Sequence, residues 1–182
     1  MKKTLLVLLL VPMLSSAQSK KYFSADASAN FGKFLEHTGF GANISGNIKV
    51  FERVYVGLST GVVQVKPFIK NMAVPLSGRL TFFTSNQEEG VAPFGLFELG
   101  KLFYKEENFG GSASQTMEGD LSFFAGVGVQ LVSNKKLHPF FAIGYAGYYY
   151  NNNHYDSENS LDFSKPYNYR RMAIKVGLML PK

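Results

Sequence analysis

The segment FGANISGNIKV, residues 40–50, alternates apolar residues with polar or small ones. Phe40, Ala42, Ile44 and Ile48 fall on one side of this alternation, and the residues between them fall on the other. Successive side chains of a β-strand point to opposite faces, so a period of two predicts a strand with one apolar and one polar face. The same pattern recurs along the chain.

Seven further segments are predicted to be strands of the same kind. Most are about 10 residues long or longer, which is the length that a strand tilted across a bilayer requires. The phase of the third segment slips near Val63, where we expect a β-bulge or the strand end. The fifth and seventh segments, crowded with Phe, Tyr and Gly, alternate less regularly. The seven cover residues 23–31, 54–62, 76–82, 91–104, 117–131, 137–150 and 171–180.

The connections between these segments alternate between short and long. Short turns are expected at residues 52–53, 85–90 and 133–136, and longer loops at 32–39, 66–73, 105–113 and 151–167. Short turns on one side and long loops on the other are typical of outer-membrane barrels. Because an open sheet would leave backbone groups unpaired in lipid, the barrel must be closed. The chain is therefore predicted to be an all-β, eight-stranded antiparallel up-and-down transmembrane β-barrel with short periplasmic turns and longer extracellular loops.

The first residues have the three-part plan of a secretory signal peptide. Lys2 and Lys3 precede an apolar run, and Ser15-Ser16-Ala17 supplies the small residues of a cleavage site. The apolar run is too short to span a bilayer, which takes about 20 residues. We expect cleavage after residue 17, which leaves residues 18–182 as one β-barrel domain in the cell outer membrane.

Composition excludes several classes of function. The chain has no Cys, so it has neither disulfides nor thiolate ligands, and no cofactor is expected. Its formal charge is +6, and removal of Lys2 and Lys3 leaves 6 − 2 = +4. The basic residues are scattered, and no recognition motif for nucleic acid accompanies them. Outer-membrane lipid is the expected partner.

Two prolines at strand starts carry a family resemblance. Pro93 and Pro139 are each followed by an aromatic residue and then by spaced glycines. With this motif the chain resembles the small outer-membrane β-barrel family of the OmpA/OmpX type, in the form common among Bacteroidetes-like bacteria. Members usually end in a strand with a terminal aromatic residue, whereas here Leu180 is followed by Pro181-Lys182. The resemblance implies an outer-membrane location.

The polar faces of the strands would bring charges of both signs into the lumen. An eight-stranded barrel is just wide enough for its own side chains, so these charges are predicted to form a paired network that fills the lumen. An ion path lined by the same residues is the alternative. The expected network consists of Asp26, Lys49, Arg79, Glu118, Asp120, Arg171 and Lys175.

The last long loop is the expected contact surface. Tyr148, Tyr149 and Tyr150 are expected to belong to the aromatic girdle at the membrane interface. Tyr155 and His154 lie beyond this girdle, where they could contact a partner or a glycan. A lipid-modifying enzyme is an alternative, but His37, His138 and His154 lack a convincing nucleophile and carboxylate, so no catalytic or metal residues are predicted. A soluble, lipocalin-like carrier is a third reading, and it would need apolar residues inside and polar residues outside.

Overall fold

The computed structural model describes residues 21–31, 38–65, 72–85, 90–110, 113–133, 136–156 and 161–181. The predicted signal peptide and His37 lie outside these residues. Within them the chain forms nine β-strands: β1 Lys21–Phe31, β2 Thr38–Phe51, β3 Val54–Val65, β4 Val74–Phe83, β5 Gly90–Phe103, β6 Lys105–Gly110, β7 Ala113–Val132, β8 His138–Asp156 and β9 Leu161–Pro181.

The strands close into a barrel. All neighbouring pairs are antiparallel, in the order β5-β4-β3-β2-β1-β9-β8-β7-β6, and β5 pairs with β7 to complete the circle. β6 continues β5 after a break at Tyr104, so the two together form one of eight barrel strands. The predicted eight-stranded up-and-down barrel is confirmed.

No helix among the described residues is long and apolar enough to cross a membrane.

The two faces of the wall differ as the alternation predicts. Along β1 the side chains of Ser24, Asp26, Ser28 and Asn30 are buried in the lumen, while Phe23 is 54% exposed on the outer surface. The large exposed residues on the other strands are likewise Ile, Leu, Val and Phe for the most part. An apolar outside and a polar inside is the arrangement of a membrane barrel and the reverse of a soluble carrier.

β3 ends at Val65, so the expected strand end near Val63 is found and the alternative, a bulge, is not. Its register with β2 is continuous from Val65 to Val56, and Val63 is buried. The apparent slip in phase arises because Val63 is an apolar residue on the lumen side, where it contacts an apolar cluster that includes Leu102 and Tyr150.

Two predicted long loops prove to be largely strand. β6 pairs with the start of β7 from Lys105 to Gly110, within the segment 105–113. β8 pairs with β9 as far as Asp156 and Leu161, within the segment 151–167. Antiparallel pairing depends on backbone groups, so polar sequences continue the ladder beyond the apolar part of the wall. We call this end of the barrel the loop end and the end at residues 52–53 the turn end.

The wall is irregular where β7 passes between β5–β6 and β8. Lys101 pairs with Leu121 and Lys105 pairs with Glu118. Between these pairs, three residues of the β5–β6 strand, 102–104, face two residues of β7, 119 and 120. On the other side of β7 the register with β8 shifts between Gly119 and Ser122. Because a bulge reverses which side chains point inward, the residues of β7 before it are out of phase with those after it.

Candidate functional site

A cluster of four buried charges occupies the middle of the lumen. Arg79 Nη1 lies 3.3 Å from Asp26 Oδ2 and 3.4 Å from Glu98 Oε1. Lys175 Nζ donates to Glu98 Oε2 at 2.5 Å and lies 3.7 Å from Asp26 Oδ1. The two cations and two carboxylates therefore alternate around a closed ring, which we call the ion cluster. Pairing of each charge with two opposite ones offsets the cost of its burial.

Register brings the four residues together from four strands. Arg79 of β4 and Glu98 of β5 are direct cross-strand partners. Asp26 of β1 is the cross-strand partner of Gly177 of β9. Gly177 follows Lys175 by two residues, so both lie on the same face of β9. A Cβ at Gly177 would approach the Ala25 carbonyl oxygen to 2.3 Å and the Asp26 Cβ to 2.8 Å, so a glycine is needed beside the cluster.

Polar and aromatic neighbours complete the cluster. Asn43 Nδ2 donates to Asp26 Oδ1 at 3.1 Å. The ammonium group of Lys175 lies 4.5 Å from the centre of the Phe124 ring, within the range of a cation–π interaction. These contacts fix both a carboxylate and an ammonium group in positions away from bulk water.

Aromatic rings fill the lumen between the ion cluster and the turn end. Successive ring centres are 4.9 Å apart for Tyr22 and Tyr55, 5.6 Å for Tyr55 and Phe83, 5.7 Å for Phe83 and Phe94, and 5.8 Å for Phe94 and Phe140. The Tyr22 hydroxyl donates to Thr81 Oγ1 at 2.8 Å. Edge-to-face packing at these spacings is favourable, and this aromatic layer closes the turn end.

A second apolar cluster lies toward the loop end. Val63, Ala73, Leu102, Tyr104 and Tyr150 are its buried members, and Tyr167 and Tyr169 pack against it. We call this cluster, with the tyrosines that pack against it, the tyrosine layer. Arg171 is buried beside it, and its guanidinium carbon lies 5.0 Å from the centre of the Tyr169 ring.

The space left between these layers is small. An internal cavity of about 30 Å³ lies on the loop-end side of the ion cluster, where Ser28, Asn30, Ser77 and Ser122 are among the residues that line it. A polar cavity of this size holds ordered water.

The structure separates the predicted lumen charges into groups. Asp26, Arg79 and Lys175 meet in the ion cluster, whereas Arg171 lies in the tyrosine layer and Lys49 is half-buried near the turn end. Glu118 and Asp120 are exposed, which corrects the expectation that they face the lumen. The irregular register at Gly119–Ser122 explains the difference, since Met117 rather than Glu118 packs against the inner cluster.

Sequence reasoning missed Glu98. It is buried opposite Arg79 and contacts both cations of the cluster. Charge balance was the signal that could have found it. Two cations, Arg79 and Lys175, need a second carboxylate beside Asp26, and Glu98 is the only carboxylate in the segment 91–104.

The predicted loop contacts lie on the extended hairpin of β8 and β9. His154 is opposite Phe163 and Tyr155 is opposite Asp162. His138 is at the other end of β8, where its ring nitrogens lie 3.2 Å from Gln130 Nε2 and 3.0 Å from the Ser133 carbonyl oxygen. In the part of the chain that the structure describes, no group of three or more His, Asp and Glu residues is placed to bind a metal ion.

Solved structures of small bacterial barrels share this fold. The outer membrane protein OprG from Pseudomonas aeruginosa is 9% identical, with a TM-score of 0.65 over 90% of this chain and 96% of that one. Neisserial surface protein A is 14% identical, with a TM-score of 0.57 over 88% and 96%. Outer membrane protein AlkL is 11% identical, with a TM-score of 0.53 over 90% of each chain. No protein-family model and no curated protein sequence matches the chain.

Proposed function

Because the chain has the fold of small eight-stranded outer-membrane β-barrels of the OmpA/OmpX type, we propose that it is a structural barrel with a filled, non-conducting lumen. In this role it is an integral outer-membrane protein that displays its long hairpins for interaction with other molecules. The observation that carries the proposal is the ion cluster, which is buried between the aromatic layer and the tyrosine layer.

The contents of the lumen favour a plug over an ion path. A permeating ion would have to pass the rings of Phe83, Phe94 and Phe140 and then separate charges that are paired at 2.5–3.7 Å. Separation of a buried pair costs about 3–5 kcal/mol, because an uncompensated charge remains in a medium of low dielectric constant. A permanently closed lumen is the consequence.

The extended hairpins support a surface-interaction role. β6–β7 and β8–β9 continue the wall at the loop end with polar residues such as Asn151, Asn153 and His154. Tyr and Asn are frequent in binding surfaces because they combine contact area with hydrogen bonding. We propose His154 and Tyr155 as contact residues of an adhesion or recognition surface, and we propose no catalytic role for the chain.

Ion conductance tests the closed lumen. The full mature chain is folded into planar lipid bilayers, and its folded state is verified by the change in gel mobility on boiling. We expect no steady conductance above that of the bare bilayer. Steady single-channel steps from protein that shows the mobility change would contradict a plugged barrel.

Binding to a glycan array tests the surface role. The protein is presented in lipid nanodiscs, and the variants His154→Ala and Tyr155→Ala are compared with Tyr145→Ala on the apolar outer wall. We expect selective binding that the two hairpin substitutions weaken and the control does not. Absence of binding by the parent protein, or equal losses in all three variants, would count against recognition by these residues.

A further inference from the structure

The outer wall has a concavity at the irregular part of the barrel. It has a volume of about 520 Å³ and lies near the loop end, where β5 ends and β6 begins. Lys101, Phe103, Lys105 and Glu118 line it with exposed side chains, together with Met72, which is 62% exposed. This surface is separate from the ion cluster, since Leu102 and Tyr104 between the two lysines point to the lumen and are buried.

The bulge accounts for the concavity. Three residues of the β5–β6 strand, 102–104, face two residues of β7, and Gly119 N donates to the Tyr104 carbonyl oxygen at 2.9 Å. A Cβ at Gly119 would lie 2.4 Å from the Leu102 carbonyl oxygen, so this position requires a glycine. A bulge of this kind bends the strand and redirects its neighbouring side chains.

Lys101 lies within the apolar surface of the wall. Its cross-strand partners are Leu76 on β4 and Leu121 on β7, both of which are exposed on the same outer surface. Leu99 and Phe103 precede and follow it on that face. Among the described residues, Lys101 is not part of a salt bridge. A lysine at the edge of an apolar band places its ammonium group at the level of lipid head groups.

We propose that this concavity binds the head group of a diphosphorylated glycolipid in the membrane leaflet at the loop end. Lys101 and Lys105 would each contact one phosphoryl group, while Phe103, Leu76 and Leu121 would contact the acyl chains. The proposal depends on the position of the barrel in the membrane and does not depend on the closed lumen.

The spacing of the two lysines favours two phosphoryl groups on one molecule. They are four residues apart and both are exposed on the same outer face, with Phe103 between them. Two ammonium groups that are held apart in this way can each contact a different phosphoryl group of one disaccharide, and neither has to give up its contact to the other. Two cationic contacts also distinguish such a lipid from one with a single phosphate.

Glu118 provides a test of opposite sign. It is the cross-strand partner of Lys105 and lines the same concavity. Its carboxylate repels a phosphoryl group and attracts the neighbouring ammonium group. Replacement of Glu118 by Gln should therefore strengthen binding, which a general loss of structure would not do.

Native mass spectrometry of the detergent-folded protein measures the bound lipid. The probes are diphosphoryl lipid A, monophosphoryl lipid A and phosphatidylcholine. We expect preferential retention of the diphosphoryl form, a loss of affinity of about three- to tenfold in Lys101→Gln and in Lys105→Gln, and a gain in Glu118→Gln. Lys136→Gln, in the turn between β7 and β8, is the matched control and should bind as the parent does.

Four results would overturn the proposal. Equal retention of the diphosphoryl and monophosphoryl forms would exclude the two-phosphate head group. An equal loss in Lys136→Gln would indicate non-specific attraction to charge. Weaker binding in Glu118→Gln would contradict the electrostatic argument. Displacement of the lipid by inorganic phosphate at the same phosphoryl concentration would indicate a site for the free anion.

Discussion

Arg79 of β4 and Glu98 of β5 are direct cross-strand partners, and Arg79 Nη1 lies 3.4 Å from Glu98 Oε1 inside the lumen. The pair is not isolated, since Arg79 also contacts Asp26 and Glu98 also contacts Lys175. Each charge thus depends on two others, and removal of one leaves a buried excess of the opposite sign. Stability of the barrel should respond to charge balance more than to side-chain volume at these positions.

Replacement of Arg79 by Met keeps a long side chain but removes its charge. Asp26 and Glu98 then share Lys175 as their one partner in the cluster, so we expect a loss of about 3–5 kcal/mol in the free energy of unfolding. Urea titration of the protein in lipid vesicles, followed by gel mobility, measures this loss. Arg170→Met, an exposed substitution on β9, is the control and should change stability by less than about 1 kcal/mol. Equal effects at the two sites would refute the argument.

The contact between Glu98 and Lys175 should show strong coupling in a double-mutant cycle. Glu98→Gln and Lys175→Gln each leave a charge imbalance, whereas the double substitution leaves Arg79 and Asp26 as a balanced pair at 3.3 Å. We expect the double variant to be more stable than the sum of the single losses predicts, by about 1–3 kcal/mol. Unfolding free energies in the same vesicles provide the four corners of the cycle. Additive losses would show that the contact contributes no energy of its own.

The aromatic layer should contribute to stability without controlling conductance. Phe94→Ala removes a buried ring that packs against Phe83 and Phe140, at an expected cost of about 3–5 kcal/mol. Phe97→Ala, on the same strand but 44% exposed on the outer wall, is the matched control.

Bilayer conductance of Phe94→Ala should stay at the level of the bare bilayer, because the ion cluster still closes the lumen beyond the missing ring. Steady conductance in this variant would assign the closure to the aromatic layer alone.

The barrel was predictable from sequence because its strands combine polar lumen residues with apolar outer residues. β1 and β2 show this clearly. In β1, Ser24, Asp26 and Ser28 face the lumen and Phe23 faces outward; in β2, Asn43 and Ser45 face the lumen and Ile44 faces outward. The pattern is weaker in β5 because Ala92, Phe94 and Leu96 face the lumen and are as apolar as the residues outside. An apolar layer in the lumen hides the alternation on which the prediction depends.

The ion cluster was only partly predictable for a related reason. The alternation within each strand predicts that Asp26, Arg79 and Lys175 face the lumen. Which of them pair with one another depends on the register between strands. Glu118 and Asp120 were misplaced because a shift of register in β7 reverses the phase, and nothing in the local alternation of that segment marks it. Glu98 was missed since the irregular pattern of β5 did not assign it to a face.

Close approach of β2 and β3 makes Gly61 a sensitive position. A Cβ at Gly61 would lie 2.0 Å from the Ala42 carbonyl oxygen and 2.7 Å from Asn43 Cα, so the backbone itself would have to move. We expect Gly61→Ala to lower the free energy of unfolding by about 1–3 kcal/mol. Gly95→Ala on β5 is the control, because beyond the residue itself and its two chain neighbours no atom lies within 4 Å of the added Cβ.

Urea titration of both variants beside the parent protein measures the difference. The control should fall within about 0.5 kcal/mol of the parent, as surface substitutions usually do. Since both changes add the same methyl group to a strand glycine, strand propensity contributes equally and cancels in the comparison. A loss in Gly61→Ala no larger than in Gly95→Ala would mean that β2 and β3 can separate at little cost, and that the close approach does not constrain this part of the wall.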